Sequence, residues 1–560
     1  MASGALLGSL LSAPVLAAPQ ARPFTGPLPT PSPADRARSG SAVAVGQRVA
    51  IVGAPGDSVR GPDAGSVQVY ERDAVTGAYT RSQVLVPPGI SPFDRFGAAL
   101  SMHGNLLVVG AKGDDDAAPN AGAAYVFRRP GVGQPFYFVD KLTPPSGGIS
   151  DCYGVAVNVL GGRIVVGAPR ADIAAFDAGA AYVYSFDFSS DAVVLDALVT
   201  RQGALAGESF GASVAVFMDQ LLIGATRLDV PQGPANVGGV VAFEEDAGGA
   251  WIQTQVLFPS QPTAEAQFGS ALAFEPPRPG VNGSLAVGAP GTAVPGEVVP
   301  RGSVTVFQRT VDTPWQGVLS HGPGGVPTES RLGESLVLQG DTILAGAPGR
   351  EFGRGAVDVI RREAGAWSFT DELLIPGSAD GDLAGAGVGF ANQFPVIGAP
   401  GREVGGVDSA GWVWSSSGLW APIGDAYCAP AVPNSSGEAA ALSARGSVIA
   451  AEQNFILEAG YLPAGTFGFA LISRSASVTP SPGGSDGNLC LGGTIGRFAQ
   501  NIVQADPGGR MGIALDLLDL PSPLAPAVVG GDTWWFQIWF RDSNPIPTSN
   551  FTNAIGVVFD

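Results

Sequence analysis

The sequence is poor in the residues that carry most metal and acid–base chemistry in enzymes. Its 560 residues include two histidines, His103 and His321, and three cysteines. Zinc sites take most of their ligands from Cys and His, and Ser-His-Asp or Cys-His catalysis needs a histidine beside its nucleophile. Because the two histidines lie far apart in the chain, we expect neither kind of site.

Charge is also scarce, and its balance is acidic. Charged residues make up 14% of the chain, with 49 Asp and Glu against 30 Lys and Arg, so the net charge is −19. An acidic surface repels a phosphate backbone, which excludes nucleic acid as a partner. Beyond the N-terminus no stretch approaches the roughly 18 uncharged apolar residues that a membrane-spanning helix needs. We therefore expect no transmembrane segment.

Glycine and proline, by contrast, are abundant, with 81 and 47 residues. Inside a helix they cost about 1 and about 3 kcal/mol per residue relative to alanine. A hydrophobic content of 45% is nevertheless too high for a disordered chain. The composition therefore predicts an all-β protein of short strands joined by tight turns.

The N-terminus has the pattern of a signal peptide. An apolar core runs from Ala5 to Ala17, and Val15 and Ala17 suit the −3 and −1 positions of a cleavage site. We predict a signal peptide over residues 1–18, a linker over residues 19–36, and a secreted or cell-surface location.

A frame of three glycines occurs seven times, which indicates an internal repeat of about 57 residues. In five of the seven frames the first two glycines are 13 residues apart. The frames are Gly40, Gly53 and Gly65; Gly97, Gly110 and Gly122; Gly154, Gly167 and Gly179; Gly211, Gly224 and Gly239; Gly269, Gly288 and Gly302; Gly333, Gly346 and Gly355; and Gly387, Gly398 and Gly411.

Each repeat contains four short strand patterns. The second is apolar on both faces, as in RIVVGAP at 163–169, so it must be covered on both sides. The third alternates between apolar and polar residues, and the fourth is more polar. Such a gradation from buried to exposed strands is typical of β-propeller blades. We predict a seven-bladed β-propeller over residues 37–424, in which Leu419–Ile423 can supply the last outer strand.

These repeats resemble a known family. Phe-Gly, as at Phe96-Gly97 and Phe210-Gly211, is followed by Gly-Ala-Pro, as at Gly53-Ala54-Pro55 and Gly167-Ala168-Pro169. The combination resembles the FG-GAP repeats that build the N-terminal propeller of integrin α subunits and of many bacterial secreted proteins. The resemblance implies a role in recognition or adhesion at the cell surface or outside the cell.

One feature of that family has no counterpart here. Its calcium-binding copies place a Dx[DN]x[DN]G-type loop between the strand after Phe-Gly and the Gly-Ala-Pro strand. At that position this chain has, for example, His103-Gly104-Asn105 and Met218-Asp219-Gln220. Calcium needs several oxygen ligands at alternate positions of such a loop, and no copy supplies them. We therefore predict no metal and no cofactor.

Carboxylates recur before the first glycine of a repeat and after Gly-Ala, which would bring them to one mouth of the propeller. They either cap tight turns by accepting hydrogen bonds from backbone amides, or form a ligand face for a cation or a basic partner. A paired-carboxylate glycosidase site is a third alternative. The candidate residues for the ligand face are Asp57, Asp94, Asp114, Asp115, Asp116, Asp151, Asp172 and Asp229.

The repeats end near Gly424, and residues 425–560 have a different composition. The alternating stretch Asp532–Phe540 and several similar runs predict a small β-sandwich. Cys428 and Cys490 both lie in this region and can pair in an oxidising compartment, which leaves Cys152 as a buried thiol. Trp535 and Trp539, on the second face of the stretch, either belong to a packed sandwich core or are exposed and form a carbohydrate platform.

Together these features predict an exported, non-enzymatic binding or adhesion protein with an extracellular protein or glycan as its ligand. Two alternatives remain. One is a polysaccharide-active enzyme that uses the propeller mouth, and the other is a structural component of the cell envelope. We expect His103 and His321 to be solvated turn residues without a catalytic role.

Overall fold

The computed structural model is built almost entirely of β-strands. It describes residues 24–28, 36–46, 48–73, 78–277, 282–293, 299–311, 313–322, 329–363, 365–391, 394–416, 423–445, 455–506, 509–524, 527–543 and 547–559. Within these ranges the helical structure consists of one turn, α1, at Arg350–Gly353 and a 3-10 turn at Pro482–Gly484. The signal peptide predicted over residues 1–18 lies outside them.

The first part of the chain forms seven four-stranded antiparallel sheets within the described ranges. Sheet 1 contains β2 (Ala42–Val45), β3 (Val49–Ala54), β4 (Ser66–Arg72) and β5 (Tyr79–Leu85); sheet 2 contains β6 (Ala99–His103), β7 (Leu106–Ala111), β8 (Ala123–Arg128) and β9 (Tyr137–Leu142); sheet 3 contains β10 (Ala156–Leu160), β11 (Arg163–Ala168), β12 (Ala180–Asp187) and β13 (Ala192–Val199); sheet 4 contains β14 (Phe210–Phe217), β15 (Gln220–Ala225), β16 (Gly239–Glu245) and β17 (Trp251–Leu257). Sheet 5 contains β18 (Leu272–Glu275), β19 (Gly283–Ala289), β20 (Ser303–Arg309) and β21 (Gln316–His321); sheet 6 contains β22 (Ser335–Gln339), β23 (Thr342–Ala347), β24 (Ala356–Glu363) and β25 (Ala366–Leu373); sheet 7 contains β26 (Gly387–Ala391), β27 (Phe394–Ala399), β28 (Trp412–Ser416) and β1 (Phe24–Pro27).

The sheets are arranged in a closed ring. The first strand of each sheet contacts the first strand of the next, and β26 of sheet 7 contacts β2 of sheet 1. The second strands are buried on both faces, as the apolar runs predicted, whereas β2 and β6 are half-exposed inside the ring. Half-exposed strands at the centre are what a ring around a central channel produces. The architecture is therefore propeller-like.

Glycine contacts join each sheet to the next one. A methyl group added to Gly110 of sheet 2 would lie 1.9 Å from the carbonyl oxygen of Gly154 in sheet 3. The same contact recurs around the whole ring, and Gly398 of sheet 7 approaches the carbonyl oxygen of Gly40 in sheet 1 in the same way. Because any side chain here would collide with backbone, the repeat keeps glycine at this position.

The structure corrects the predicted glycine frame at two positions. In sheet 7 the first glycine is Gly385, which has a φ of +90° and approaches Gly346, and not Gly387. In sheet 4 the third glycine is Gly238, which bridges to Phe268, and not Gly239. Several glycines lie near both sites, and the predicted frame took a neighbouring glycine at each. With Gly385 the spacing of 13 residues to Gly398 is restored.

The ring is closed by a strand from the N-terminal segment. β1 pairs antiparallel with β28 and supplies the fourth strand of sheet 7, and the backbone amide of Leu28 donates to the carbonyl oxygen of Val413 at 2.9 Å. The prediction of a linker over residues 19–36 is therefore wrong at residues 24–27. Of the alternative outer strand, Leu419–Ile423, residues 419–422 lie outside the described residues.

The C-terminal region forms two further sheets that share one core. A seven-stranded sheet contains β29 (Asp425–Tyr427), β38 (Ala554–Val558), β36 (Thr533–Ser543), β32 (Phe467–Pro480) and β33 (Asn488–Arg497), with β34 (Val503–Gln504) and β37 (Pro547–Phe551) paired beside it; a three-stranded sheet contains β30 (Ala441–Arg445), β31 (Ile456–Gly460) and β35 (Met511–Ala514). Leu457 of β31 and Phe536 of β36 belong to the same buried cluster.

A second cluster on the outer side of the larger sheet contains the disulfide. Cys428 and Cys490 are bonded to each other, while Cys152 is free and partly exposed rather than buried. Trp535 packs against Tyr427, and Trp539 packs against Phe469. Both tryptophans therefore take part in packing on this side of the sheet.

Candidate functional site

The two ends of the ring differ in their connections. What we call the loop face carries the connections from second to third strands and from one sheet to the next, and the hairpin face carries the remaining connections. The loop face comprises residues 28, 36–41, 55–65, 86–98, 112–122, 143–155, 169–179, 200–209, 226–238, 258–271, 290–293, 299–302, 322, 329–334, 348–355, 374–386 and 400–411.

The C-terminal region lies against the hairpin face. Arg510 forms an ion pair with Glu275, at the end of β18, with 3.4 Å between Nη1 and Oε1. Glu458 lies next to Gly340, in the hairpin between β22 and β23. On the opposite side of the ring, burial raises the pKa of Glu438, and the charge of Arg129 offsets part of that rise. The C-terminal region therefore touches several sheets on this face.

His103 lies at this contact, which corrects its prediction as a solvated turn residue. It ends β6 and is half-buried, and its Nδ1 accepts a hydrogen bond from the backbone amide of Gly161 at 3.2 Å. Burial and the charge of Arg510 lower the pKa of His103 to about 4. The sequence carried no signal for this environment, because Arg510 belongs to the distant C-terminal region.

The loop face holds the predicted carboxylates, and nearly all of them accept backbone amides. Asp115, Asp172 and Asp229 occupy the same place in three successive repeats and accept from the amides of Asn120, Asp177 and Asn236 at 2.6, 2.7 and 2.8 Å. The other such bonds run to Asp57 from Val59, to Asp94 from Ser91, to Asp114 from Asp116, and to Asp151 from Gly148. Hydrogen bonds from backbone amides to these carboxylates are what the turn-capping alternative predicts.

The Asx residue before the third glycine also has a structural role. Asp63, Asn120, Asp177 and Asn236 all have φ values between 48° and 52°. Asn and Asp tolerate this left-handed conformation better than other residues with side chains. Their recurrence in the sequence therefore follows from the shape of the loop.

One group of the predicted carboxylates does come together, around Lys141 of sheet 2. The ammonium of Lys141 lies 2.7 Å from Asp114 and also contacts Asp116. The hydroxyl of Tyr125 donates to Asp114 at 2.8 Å. Burial raises the pKa of Asp94 to about 6, and the nearby Asp114 adds to that shift. Lys141 therefore offsets part of the negative charge of this cluster, and Asp94 adds a carboxyl that becomes protonated below about pH 6.

The other predicted acids are not part of this group. Asp57, Asp172 and Asp229 lie in the loops from the second to the third strand of sheets 1, 3 and 4, and Asp151 lies in the connection from sheet 2 to sheet 3. Burial raises the pKa of Asp151, and the charge of Asp172 adds to the shift. The predicted acids therefore share a face without converging on a single centre.

His321 is also misplaced by the sequence prediction. It ends strand β21, and its Nε2 lies 3.0 Å from Oδ2 of Asp358, which is fully buried in β24. Arg350 contacts the other oxygen of Asp358 at 2.6 Å, and Phe369 stacks on the imidazole. This cluster joins sheets 5 and 6. No local pattern reveals it, since its members come from four separate elements.

The loop face exposes apolar side chains that sequence reasoning did not single out. Phe176 is 70% exposed and Phe352 is 79% exposed. Phe352 borders an open cavity of about 440 Å³ together with Val299, Arg331 and Leu383. The large exposed apolar residues of this face are Val59, Phe93, Ile149, Ile173, Phe176, Leu205, Val299, Phe352 and Leu374.

The described residues include neither a metal-binding cluster nor a membrane-spanning helix. No group of three or more His, Cys, Asp or Glu side chains in the described ranges is placed to hold a metal ion. None of the helices in the part of the chain that the structure describes has the length and apolar character required to span a bilayer.

Comparison with known proteins gives one family match. A family model described as FG-GAP repeat matches residues 79–127 and 136–184, which run from β5 to β8 and from the start of β9 to β12. A search of curated proteins found no significant match.

Solved structures similar to this chain include a putative 6-phosphogluconolactonase from Bacteroides uniformis, with 12% identity, 60% of this chain and 85% of that chain covered, and a TM-score of 0.40. A protein from Lactobacillus plantarum has 12% identity, the same coverage and a TM-score of 0.35. Sqt1 of Saccharomyces cerevisiae has 10% identity, with 68% and 96% covered and a TM-score of 0.36. Likenesses at this level carry no argument about function.

Proposed function

We propose that this chain, an FG-GAP repeat protein, is an exported binding or adhesion protein that recognises an extracellular protein or glycan through its loop face. The seven sheets are the blades of a seven-bladed propeller, and the C-terminal region is a small β-sandwich attached to it. The protein acts as a recognition scaffold and not as an enzyme.

The observation that carries this proposal is that the C-terminal region lies on one face of the ring and not, within the described residues, on the other. The C-terminal region occupies the hairpin face through contacts such as Arg510 with Glu275. The loop face has no such cover among the described residues, and it exposes large apolar side chains such as Phe176 and Phe352. Exposed apolar groups rimmed by polar ones are typical of interaction sites.

The geometry of the loops suits binding. Carboxylates that bond backbone amides hold each loop in one conformation, as Asp115 and Asp172 do in successive repeats. Loops fixed in this way lose little conformational entropy when a ligand binds, which favours affinity. A rigid ring that presents variable loops is a scaffold for recognition.

The test is an array of extracellular proteins and glycans probed with the purified full-length protein, with calcium and with EDTA. Phe176→Ser and Phe352→Ser change the loop face, and Val311→Ser, also at an exposed apolar residue, is the control on the hairpin face. We expect specific binding that the first two variants weaken and the control leaves unchanged, in both buffers.

Two results would contradict the proposal. Equal effects of the loop-face and hairpin-face variants would mean that the loop face is not the binding surface. Turnover of a bound glycan, followed by chromatography of the products, would show that the protein is an enzyme.

A further inference from the structure

Within the part of the chain that the structure describes, the loop face of sheets 1 to 3 contains cations without a side-chain partner. Among the described residues, no side chain forms an ion pair or a hydrogen bond with the side chains of Arg38, Arg95, Lys112 or Arg170. Elsewhere most arginines of the ring are paired, for example Arg163 with Glu245, Arg309 with Glu244 and Arg402 with Asp382. In a chain with 49 acidic and 30 basic residues, unpaired cations in one place are unexpected.

The glycine contacts between neighbouring sheets hold these four residues near one another. Arg38 and Arg95 each lie two residues before the first glycine of a repeat, Gly40 and Gly97. Lys112 and Arg170 lie two and three residues after the second glycine of a repeat, Gly110 and Gly167. Those glycines make the contacts between neighbouring sheets around the channel. The cations are therefore attached to the loop-face end of the ring, near its axis.

Backbone hydrogen bonds bring these loops together: the amide of Gly113, next to Lys112, donates to the carbonyl oxygen of Asp94, next to Arg95, at 3.1 Å, and the amide of Arg170 donates to the carbonyl oxygen of Asp151 at 3.3 Å. The electrostatics agree with this placement. Burial lowers the pKa of Lys112, and the charges of Arg95, Arg38 and Arg170 lower it further, while Cys152 raises it. Lys112 stands where most other repeats have the proline of Gly-Ala-Pro, and it is half-buried among like charges. Like charges held together cost free energy unless an anion joins them.

We propose that Arg38, Arg95, Lys112 and Arg170 form an anion-binding site at the loop-face end of the central channel, which takes a sulfate or carboxylate group of an acidic carbohydrate. The inference rests on the proposed function, because it names the chemistry that the loop face recognises. Guanidinium groups bind oxyanions through paired hydrogen bonds, and an ammonium adds a point charge.

An acidic sugar suits the surroundings of these cations. Phe93 is exposed two residues before Arg95, so an apolar ring lies beside the charges. A sugar ring can pack on such a surface while its acidic group reaches the cations. The net charge of −19 repels a densely charged polyanion at long range. This favours a ligand whose acidic groups are spaced along a sugar chain.

The test compares two triple variants of the full-length protein. Arg38→Gln, Arg95→Gln and Arg170→Gln together remove three cations of the site. The control carries Arg81→Gln, Arg497→Gln and Arg541→Gln, which change the net charge equally at exposed positions elsewhere. The probes are a labelled sulfated hexasaccharide, an oligogalacturonide, a neutral oligosaccharide of the same length, and inorganic sulfate.

We expect the acidic oligosaccharides to bind and the neutral one not to. The site variant should weaken binding at least about tenfold, because it removes three cations that would hold the acidic group through charge-assisted hydrogen bonds. Raising the salt concentration to about 0.5 M should also weaken binding, because the charges are partly exposed. Competition by inorganic sulfate would show that the free ion suffices, and its failure would show that the sugar contributes.

Cys152 provides a second readout. It is the free, partly exposed thiol of the chain, and it lies two residues before Gly154, next to the cations. A bound acidic oligosaccharide should slow its alkylation by iodoacetamide in the wild-type and control proteins but not in the site variant. Thermal melting of each variant shows that the fold is kept.

Three outcomes would overturn the inference: no binding of either acidic oligosaccharide at low salt, equal binding by the two triple variants, or unchanged alkylation of Cys152. The proposed function is tested separately. If a ligand from the array is lost with Phe176→Ser and Phe352→Ser but kept by the site variant, the anion site fails while recognition by the loop face stands.

Discussion

The loop face and the hairpin face are made from the same repeats but differ in how their charges are arranged. On the hairpin face the C-terminal region brings in Arg510, Glu458 and Glu438, which meet charges of the ring. On the loop face the carboxylates bond their own backbone, and Arg38 and Arg95 have no partner within the described ranges. One face is therefore used for internal contacts, while the other is held in shape and left open.

The difference shows how a symmetric repeat can produce two distinct surfaces. Tight connections between adjacent strands leave little room for variation and suit a flat contact with a second region. The longer connections must be held by capping carboxylates and by residues with positive φ, and they allow sequence changes between those fixed points. We expect perturbations of the two faces to have unequal effects on stability.

The largest difference in stability should come from adding one methyl group at an inter-sheet glycine near the loop face and one in a hairpin-face loop. In Gly110→Ala the new methyl meets the carbonyl oxygen of Gly154 at 1.9 Å, and backbone cannot move aside, so we expect destabilisation by about 3 kcal/mol or more. Gly131→Ala, in a hairpin-face loop with nothing within 4 Å, should change the stability by less than about 0.5 kcal/mol. Urea unfolding of both variants measures the contrast, and similar midpoints would contradict it.

The next contrast removes one carboxylate from each face. Asp114 is buried and holds Lys141, Tyr125 and a backbone amide, so Asp114→Ala should cost about 2–3 kcal/mol. Asp191 pairs with Arg128 at the partly exposed hairpin face, and Asp191→Ala should cost less than about 1 kcal/mol. Thermal unfolding compares them, and an equal loss in both would mean that the buried cluster does not stabilise the loop face.

The two faces should also respond to pH in opposite directions. The pKa of Asp94 rises from 3.8 to about 6, so this group favours folding at low pH and loses that contribution as the pH rises through 6. The pKa of His103 falls from 6.5 to about 4, so its contribution is present above pH 6.5 and is lost as the pH falls towards 4.

Single variants separate these two contributions. Denaturant titrations between pH 4 and 7 should show a steeper rise in stability with pH for Asp94→Asn than for the wild type, and a shallower rise for His103→Gln. Slopes that do not change, or that change in the other sense, would contradict the assigned pKa directions.

The smallest effect should come from the ion pair between the C-terminal region and the ring. Arg510 is half-exposed and lies 3.4 Å from Glu275, so the coupling free energy of the pair should be about 0.5 kcal/mol. A double-mutant cycle with Arg510→Gln and Glu275→Gln measures it. A coupling above about 2 kcal/mol would mean that this contact, rather than the combined surface, holds the two regions together.

The repeat was predictable because its signals are local. Glycines such as Gly53 and Gly110 mark contacts that every sheet must make, and the apolar second strands follow from burial on both faces. The FG-GAP resemblance rested on the same residues. Gly385 and Gly238 were missed because each has another glycine close by in the sequence. The positive φ at the contact distinguishes both, and the spacing of 13 residues to Gly398 also marks Gly385.

The site was less predictable because its environment is not local. The sequence shows where carboxylates recur, but it does not show that Asp115 bonds Asn120 or that Arg95, Lys112 and Arg170 converge. Each cation comes from a different loop, and no spacing relates all of them. The environments of His103 and His321 were missed for the same reason, since their partners are far away in the chain.

The strand that completes sheet 7 ties the folding of the ring to the order of synthesis. Phe24 is made before every other described strand of the ring and pairs with Ser416, which emerges only after the other six sheets. A contact between such distant residues closes a very long loop, and contacts of this kind slow folding. During translation β1 therefore stays unpaired until β28 has been made, and sheet 7 can be completed only then.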